Sequence, residues 1–118
     1  MKPWKTGVAA LYFLSSAALA DITQLDTEFS PEGGQYYRGE AITLTANADG
    51  VNTQYRFVLE KFVDGGVTKL NSTSWSFYNV YLIDSSALLL EPGDYRVRTI
   101  ARERQNKKEV LVKYRLFE

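Results

Sequence analysis

The sequence contains no cysteine and no histidine among its 118 residues. Disulfides, Ser-His-Asp and Cys-His nucleophile systems, imidazole general bases and the usual ligand sets of zinc and iron–sulfur sites are therefore excluded. The pattern of a calcium-binding loop, in which alternating aspartates precede a glycine, is also missing. We predict no metal site and no cofactor, which leaves carboxylate chemistry and non-catalytic binding.

A pair of carboxylates is the remaining route to catalysis, as in glycoside hydrolysis. Asp26 and Glu28, Glu60 and Asp64, or Asp84 and Glu91 are candidates by sequence proximity alone. So short a chain offers little cleft in which a substrate could lie between two such groups. We therefore predict that the protein is not an enzyme and assign no catalytic residue.

The first twenty residues have the pattern of a secretory signal peptide. Two lysines precede an apolar stretch over 7–14, and the small residues at 18–20 fit a cleavage site. This stretch is shorter than the roughly 20 residues that span a bilayer, and a pair of serines follows it. We expect cleavage between Ala20 and Asp21, a periplasmic or secreted location, and no transmembrane segment in the remaining chain.

From residue 21 onward, apolar and polar residues alternate with a period of two, in short runs separated by glycine, proline, asparagine and aspartate. This pattern predicts one all-β domain over 21–118, an antiparallel β-sandwich of about seven strands. Segment 85–90 is predicted as a helical turn or a crossover between sheets. The predicted strands cover residues 22–29, 41–47, 54–63, 67–70, 74–83, 95–104 and 109–117.

The segment Leu90-Glu91-Pro92-Gly93-Asp94-Tyr95 resembles the Leu-x-Pro-Gly-x-Tyr corner of fibronectin type III and immunoglobulin-like domains. The resemblance implies that Tyr95 is a structural residue whose hydroxyl bonds to the preceding loop. With the aromatic residues at 55, 57, 75, 78 and 81, residues 36–104 are similar to bacterial triple-tyrosine modules, which occur in extracytoplasmic parts of sensors and cell-wall enzymes. A core tryptophan is common in such sandwiches, so we predict that Trp75 is buried.

Charge is distributed unevenly along the chain. Residues 21–94 hold 4 basic and 11 acidic side chains, whereas residues 95–118 hold 8 basic and 3 acidic ones. If the last two strands form a hairpin with its turn at 105–108, most of the basic side chains lie on one exposed face. The candidate binding residues are Arg96, Arg98, Arg102, Arg104, Lys113 and Arg115, with Lys107 and Lys108 at the tip.

An unpaired basic face attracts anionic partners. We therefore predict an exported, non-enzymatic binding module that presents this face to an anionic polysaccharide, a lipid head group or an acidic envelope protein, with nucleic acid ranked behind them. The module is expected to be a monomer or to self-associate weakly. In the alternative interpretation, the same basic residues pair with carboxylates on neighbouring strands or protect a sheet edge from aggregation.

Two other functions stay open. The chain could be a structural or assembly protein of the cell envelope that works through sheet-edge contacts, with 110–117 as the candidate edge strand. It could also inhibit an extracytoplasmic hydrolase by inserting the loop 33–38. In that loop Tyr36 and Tyr37 are candidate aromatic contacts for a sugar or a protein, against the alternative that a strand buries one of them.

Overall fold

The computed structural model describes residues 21–104 and 106–118, which form eight β-strands and, within these ranges, no helix. The predicted all-β fold is confirmed, with one strand more than expected. The predicted signal peptide lies outside the described residues, and the described chain offers no helix with the length and apolarity to span a membrane. The strands are β1 (Leu25–Ser30), β2 (Gln35–Tyr37), β3 (Ala41–Ala48), β4 (Gln54–Val63), β5 (Gly66–Ser72), β6 (Val80–Asp84), β7 (Gly93–Glu103) and β8 (Asn106–Phe117).

The strands form two sheets that enclose one core. Strand order is β1-β3-β6 in the three-stranded sheet and β2-β8-β7-β4-β5 in the five-stranded sheet. All neighbouring pairs are antiparallel except β2 and β8, which run parallel. The expectation of a wholly antiparallel fold is therefore wrong at this position. The chain passes from β1 in one sheet to β2 in the other, and β2 lies along the end of β8.

Two predicted segments differ from the structure. The strand predicted over 74–83 is confined to β6, and the residues before it are irregular, apart from an isolated bridge between Ser76 and Tyr55. The turn predicted at 105–108 is shorter, because the ladder between β7 and β8 continues to Glu103 opposite Asn106. Segment 85–90 joins β6 in one sheet to β7 in the other, so it is a crossover built from turns.

Aromatic side chains fill one end of the core. The rings of Tyr95 and Tyr114 stack with centroids 5.4 Å apart, and Phe29 and Tyr36 meet Tyr114 edge-on. Such pairs add roughly 0.5–1.5 kcal/mol beyond the burial of their area. Desolvation in this cluster raises the pKa of the Tyr114 hydroxyl. Because the chain has no disulfide, packing of this kind holds the two sheets together.

Candidate binding face

Most of the predicted basic residues lie on the outer surface of the five-stranded sheet. Successive side chains of a strand point to opposite faces. On β7 the odd-numbered residues from 95 to 103 are buried, so the even-numbered ones face outward, beside the outward residues of β4 and β8. We call this surface the outer basic face. Its basic members are Arg56, Lys69, Arg96, Arg98, Arg102, Lys107, Lys113 and Arg115, and its acidic members are Glu60, Asp94 and Glu109.

The centre of the outer basic face is a chain of ion pairs. Arg96 Nε donates to Glu60 Oε1 at 2.7 Å, and Arg98 Nη1 lies 4.0 Å from Glu60 Oε2. Arg98 Nε also donates to Glu109 Oε2 at 2.7 Å, and this bond raises the pKa of Arg98. The Glu60 side chain is only 9% exposed. These two arginines therefore neutralise a carboxylate that would otherwise be buried without a partner.

A second ion pair lies near the start of β7. Asp94 and Arg115 are opposite each other in the ladder, and Arg115 donates from Nε and Nη2 to the two carboxylate oxygens at 2.6 and 3.1 Å. These bonds lower the pKa of Asp94 and raise that of Arg115. Both side chains are about half exposed. Arg115 thus lies on the predicted face, but much of its charge is compensated locally.

Three of the predicted residues keep their charge uncompensated on this face. Arg102 lies over the Trp75 ring, 4.1 Å from its centroid, and donates to the neutral Gln54 at 3.0 Å. Lys113 lies 5.5 Å from the centroid of Phe62. In the described chain, no carboxylate lies within ion-pair distance of Arg102, Lys107 or Lys113. These three cations are free to meet an anionic partner.

The remaining two predicted residues lie elsewhere. Arg104 is in the turn after β7, with a positive φ of 54°, and its side chain is exposed. Lys108 belongs to β8 rather than to a turn, and it shares the parity of the core-facing Val110 and Tyr114. Its side chain therefore leaves the sheet on the side opposite Lys107. Arg104 and Lys108 are basic residues of the same hairpin that lie off the outer basic face.

Two basic members of this face were missed by the sequence reasoning. Arg56 lies opposite Ile100 of β7, and Lys69 lies opposite Glu60 on β5. Arg56 Nε is buried without a hydrogen-bond partner in the described chain. Alternation within 54–63 predicted which way Arg56 points, but the charge argument covered only residues 95–118. The pairing of β4 with β7 adds Arg56 to the face, and the pairing of β5 with β4 adds Lys69.

The two candidate aromatic contacts have opposite environments. Tyr36 is 1% exposed, and its hydroxyl donates to the Pro31 carbonyl inside the fold, so the prediction of an aromatic contact is wrong for this side chain. Tyr37 is 62% exposed and lies 5.7 Å from Phe117, centroid to centroid. Both belong to β2, which pairs with β8, so residues 35–37 form a strand rather than a loop.

Trp75 is not part of the core between the sheets, which corrects the expectation that it is buried. Its side chain is half-buried on the outer basic face, where Arg102 covers the ring. The exposed aromatic residues of this connection are its neighbours Phe77 and Tyr78. The sequence reasoning assigned 74–83 to a strand, so it did not identify them as surface residues.

Tyr95 has the geometry of the predicted corner. The side chain is 1% exposed, and its hydroxyl donates to the backbone carbonyl of Glu91, four residues earlier. Burial is the main cause that raises the pKa of this hydroxyl. A buried hydroxyl bonded to its own loop has no contact to offer a ligand, and this geometry matches the structural role predicted for Tyr95.

An open groove of about 660 Å³ lies at one end of the outer basic face. It is bounded by Phe62, Lys113 and the ion pair of Asp94 with Arg115, and on the other side by the segment 33–35. Volumes of this order hold small ligands in other proteins. Among the described residues, Lys113 is the charged residue of the groove that forms no ion pair, so the groove favours an anionic group.

Comparisons with known proteins add little to this geometry. No family model matches the chain, and no curated protein matches it. Among solved structures, the chain is similar to part of the endo-β-1,4-mannanase from Thermotoga petrophila, with 13% sequence identity and a TM-score of 0.47. The similarity covers 83% of this chain and 21% of the mannanase chain, so this chain spans about a fifth of that enzyme's length. A likeness at this level identifies neither a family nor an activity.

Proposed function

We propose that the protein is an exported, non-enzymatic binding module that presents the outer basic face to an anionic partner outside the cytoplasm. The partner is an anionic polysaccharide, a lipid head group or an acidic envelope protein. Export would follow cleavage after Ala20, and the domain would be an immunoglobulin-like or fibronectin type III-like sandwich. The bond from the Tyr95 hydroxyl to Glu91, which closes the predicted corner, supports the choice of sandwich.

One observation carries the proposal: the outer basic face keeps an excess of positive charge after its ion pairs are formed. Its described members are eight basic and three acidic side chains. The acids are engaged by Arg96, Arg98 and Arg115, which leaves Arg56, Lys69, Arg102, Lys107 and Lys113 without an ion pair in the described chain. A surface of one sign draws in oppositely charged polymers and membranes.

The structure changes which residues a test should replace. Removing Arg96 or Arg98 deprives the buried Glu60 of its partners, so a loss of binding would be confused with a loss of folding. Lys107 and Lys113 are exposed and form no ion pair in the described chain, so their replacement leaves the fold unchanged. The informative variant is therefore Lys107→Gln/Lys113→Gln.

The experiment measures binding of the purified protein to polygalacturonate, to phosphatidylglycerol vesicles and to polyglutamate, at low and high salt. We expect salt-sensitive binding to one of the three, because screening weakens interactions between exposed charges. The double variant should bind roughly 30-fold more weakly, at about 1 kcal/mol for each cation lost. The three probes separate a glycan, a lipid and an acidic protein as the source of the anionic groups.

The matched control is Arg104→Gln/Lys108→Gln. It removes the same number of positive charges from the same hairpin, but from positions off the outer basic face. We expect its affinity to stay within about threefold of the unaltered protein, since only long-range charge is lost. Equal losses in the two variants would show that net charge, rather than this face, determines binding, and absence of binding to all probes would contradict the proposal.

A further inference from the structure

β6 forms a free edge of the three-stranded sheet, and its hydrogen-bonding pattern can be read from the residue that precedes it. Ala46 of β3 donates its backbone N–H to the Asn79 carbonyl at 2.8 Å, and the Asn79 side chain returns a bond to the Ala46 carbonyl. In an antiparallel ladder every second residue bonds to the same neighbour. Tyr81 and Ile83 therefore bond to β3, which leaves the backbone groups of Val80 and Leu82 directed away from the sheet.

The outward side chains of this edge are apolar. Leu82 is 58% exposed and Val80 is 36% exposed, while Tyr81 and Ile83 between them are buried in the core. The exposed Phe77 and Tyr78 lie just before the strand, separated from it by Asn79. The edge therefore combines unpaired backbone groups with an exposed apolar row, which is the combination that templates pairing with another strand.

The longer of the other free sheet edges are protected by charge. Natural proteins place charged residues, lysine above all, on exposed edges to prevent strand pairing. On β6 the single charged residue is Asp84 at its end, and that carboxylate accepts bonds from the backbone N–H groups of Ser86 and Ala87 at 3.1 Å. The charged residues of the longer edges are Asp26 and Glu28 on β1, Lys69 on β5, and Lys107, Lys108 and Lys113 on the part of β8 before its pairing with β2. The remaining edge strand, β2, has three residues and no charge, and shortness is itself a protection against pairing.

We propose that two copies of the protein pair through β6, antiparallel and centred on Leu82, so that two three-stranded sheets become one six-stranded sheet. In this register Leu82 lies opposite the partner's Leu82, and Val80 lies opposite the partner's Asp84. The Asp84 carbonyl already accepts the Leu88 N–H at 3.0 Å, so at this position the ladder between the two copies gains only the bond that the Asp84 N–H donates. No like charges face each other, and the acids of β1 lie two strands away from the joint. The edge is therefore complementary to itself, as a twofold interface requires.

The expected dimer is weak, because a pair of five-residue strands forms few backbone bonds and buries a small area. Interfaces of this size bind transiently, and we expect a dissociation constant on the order of tens of micromolar. The pairing uses the sheet opposite the outer basic face, so it leaves that face open and doubles the number of cations that one particle presents. This inference does not depend on the proposed binding function.

The test is sedimentation equilibrium of the full protein at concentrations up to about 0.5 mM, well above the expected dissociation constant. The unaltered protein should show a monomer–dimer equilibrium that persists at high salt. Leu82→Lys should weaken the dimer at least tenfold, because it places two ammonium groups opposite each other. The control Leu70→Lys makes the same change at an exposed leucine of the β5 edge and should leave the equilibrium unchanged.

A third variant tests the register itself. Val80→Lys places a cation opposite the partner's Asp84, so it should leave the dimer as strong or stronger, whereas pairing through apolar contact alone would be weakened by it. Since the chain has no cysteine, Leu82→Cys can also be oxidised to a covalent dimer, at a Cα separation of about 5.5 Å that suits a disulfide. The inference is overturned by a monomer at every concentration, by dissociation in Leu70→Lys, or by equal weakening in Val80→Lys and Leu82→Lys.

Discussion

The outer basic face contains the same residue types in two different roles. At the centre, Arg96 and Arg98 hold the nearly buried Glu60. On β8, Lys107 lies towards one end and Lys113 lies opposite Arg96. Both are exposed and form no ion pair in the described chain. Which role a cation has depends on whether the ladder places a carboxylate beside it. A count of basic residues therefore overstates how many of them a partner could meet.

The largest expected effect on stability comes from removing an ion pair at the centre of the outer basic face. Arg96→Met should lower the free energy of unfolding by about 2 kcal/mol, because Glu60 loses its 2.7 Å partner and keeps only the longer contact with Arg98. Urea denaturation measures the change. Adding Glu60→Gln to Arg96→Met should restore most of the loss.

The matched substitution is Lys113→Met, at the cation that lies opposite Arg96 on β8. It should change the free energy of unfolding by less than about 0.5 kcal/mol, since the side chain is exposed and forms no ion pair in the described residues. Equal losses in Arg96→Met and Lys113→Met would contradict the division of the face into structural and available cations.

The Tyr95 hydroxyl allows a similar comparison within the aromatic residues. Tyr95→Phe should lower the free energy of unfolding by about 1 kcal/mol, because the Glu91 carbonyl loses its partner inside the corner. The exposed Tyr37 serves as the control, and Tyr37→Phe should be nearly neutral. Thermal denaturation of both variants checks the prediction, and a neutral Tyr95→Phe would remove the corner from the structural interpretation.

Removing the ion pair of Asp94 with Arg115 should strengthen binding to an anionic partner. Asp94→Asn removes the carboxylate that compensates Arg115, so the face gains one available cation. Affinity for the anionic probe should rise about fivefold, at roughly 1 kcal/mol for one added cation near an anionic surface. Titration calorimetry at low salt measures it. An unchanged affinity would show that the groove end of the face does not contact the partner.

The smallest expected effect is the pH dependence of this pair. The hydrogen bond from Arg115 lowers the pKa of Asp94 below its ordinary value, so the pair stabilises the fold above the pKa of the unfolded state. The contribution is lost as the pH falls through the depressed folded-state pKa. Thermal melting between pH 6 and pH values below about 3.8 should show a small acid-sensitive component. That component should be absent in Asp94→Asn, and its survival there would assign it to other carboxylates.

Much of the fold could be predicted from the sequence, because period-two alternation marks long strands well. The prediction for 54–63 matches β4 residue for residue, and those for β3, β7 and β8 differ only near their ends. β2 was missed because it has only three residues after two glycines, too few for an alternation of apolar and polar residues to be recognised. The strand predicted over 74–83 was too long, because aromatic residues favour strands even where they lie in an irregular connection.

The candidate face was predictable only in part. Parity along 95–104 predicted which side chains of β7 point outward, and the structure agrees. The ion-pair partners could not be predicted from the sequence, because Glu60 and Arg96 are 36 residues apart and meet only through the pairing of β4 with β7. The same is true of the free edge at β6, which depends on strand order. Sequence patterns predict which face of the sheet a side chain points to. Whether its charge is available to a binding partner depends on the residues of the neighbouring strand.

The most direct test of the proposed function is to map the contact surface by NMR. Backbone amide signals of the protein are followed while the anionic probe that binds is added at low salt. The proposal predicts that shifts concentrate on the outward residues of β4, β7 and β8, near Arg102, Lys107 and Lys113, and reverse when salt is added. Shifts that concentrate on β1 or β6 instead would contradict the assignment of the outer basic face as the binding surface.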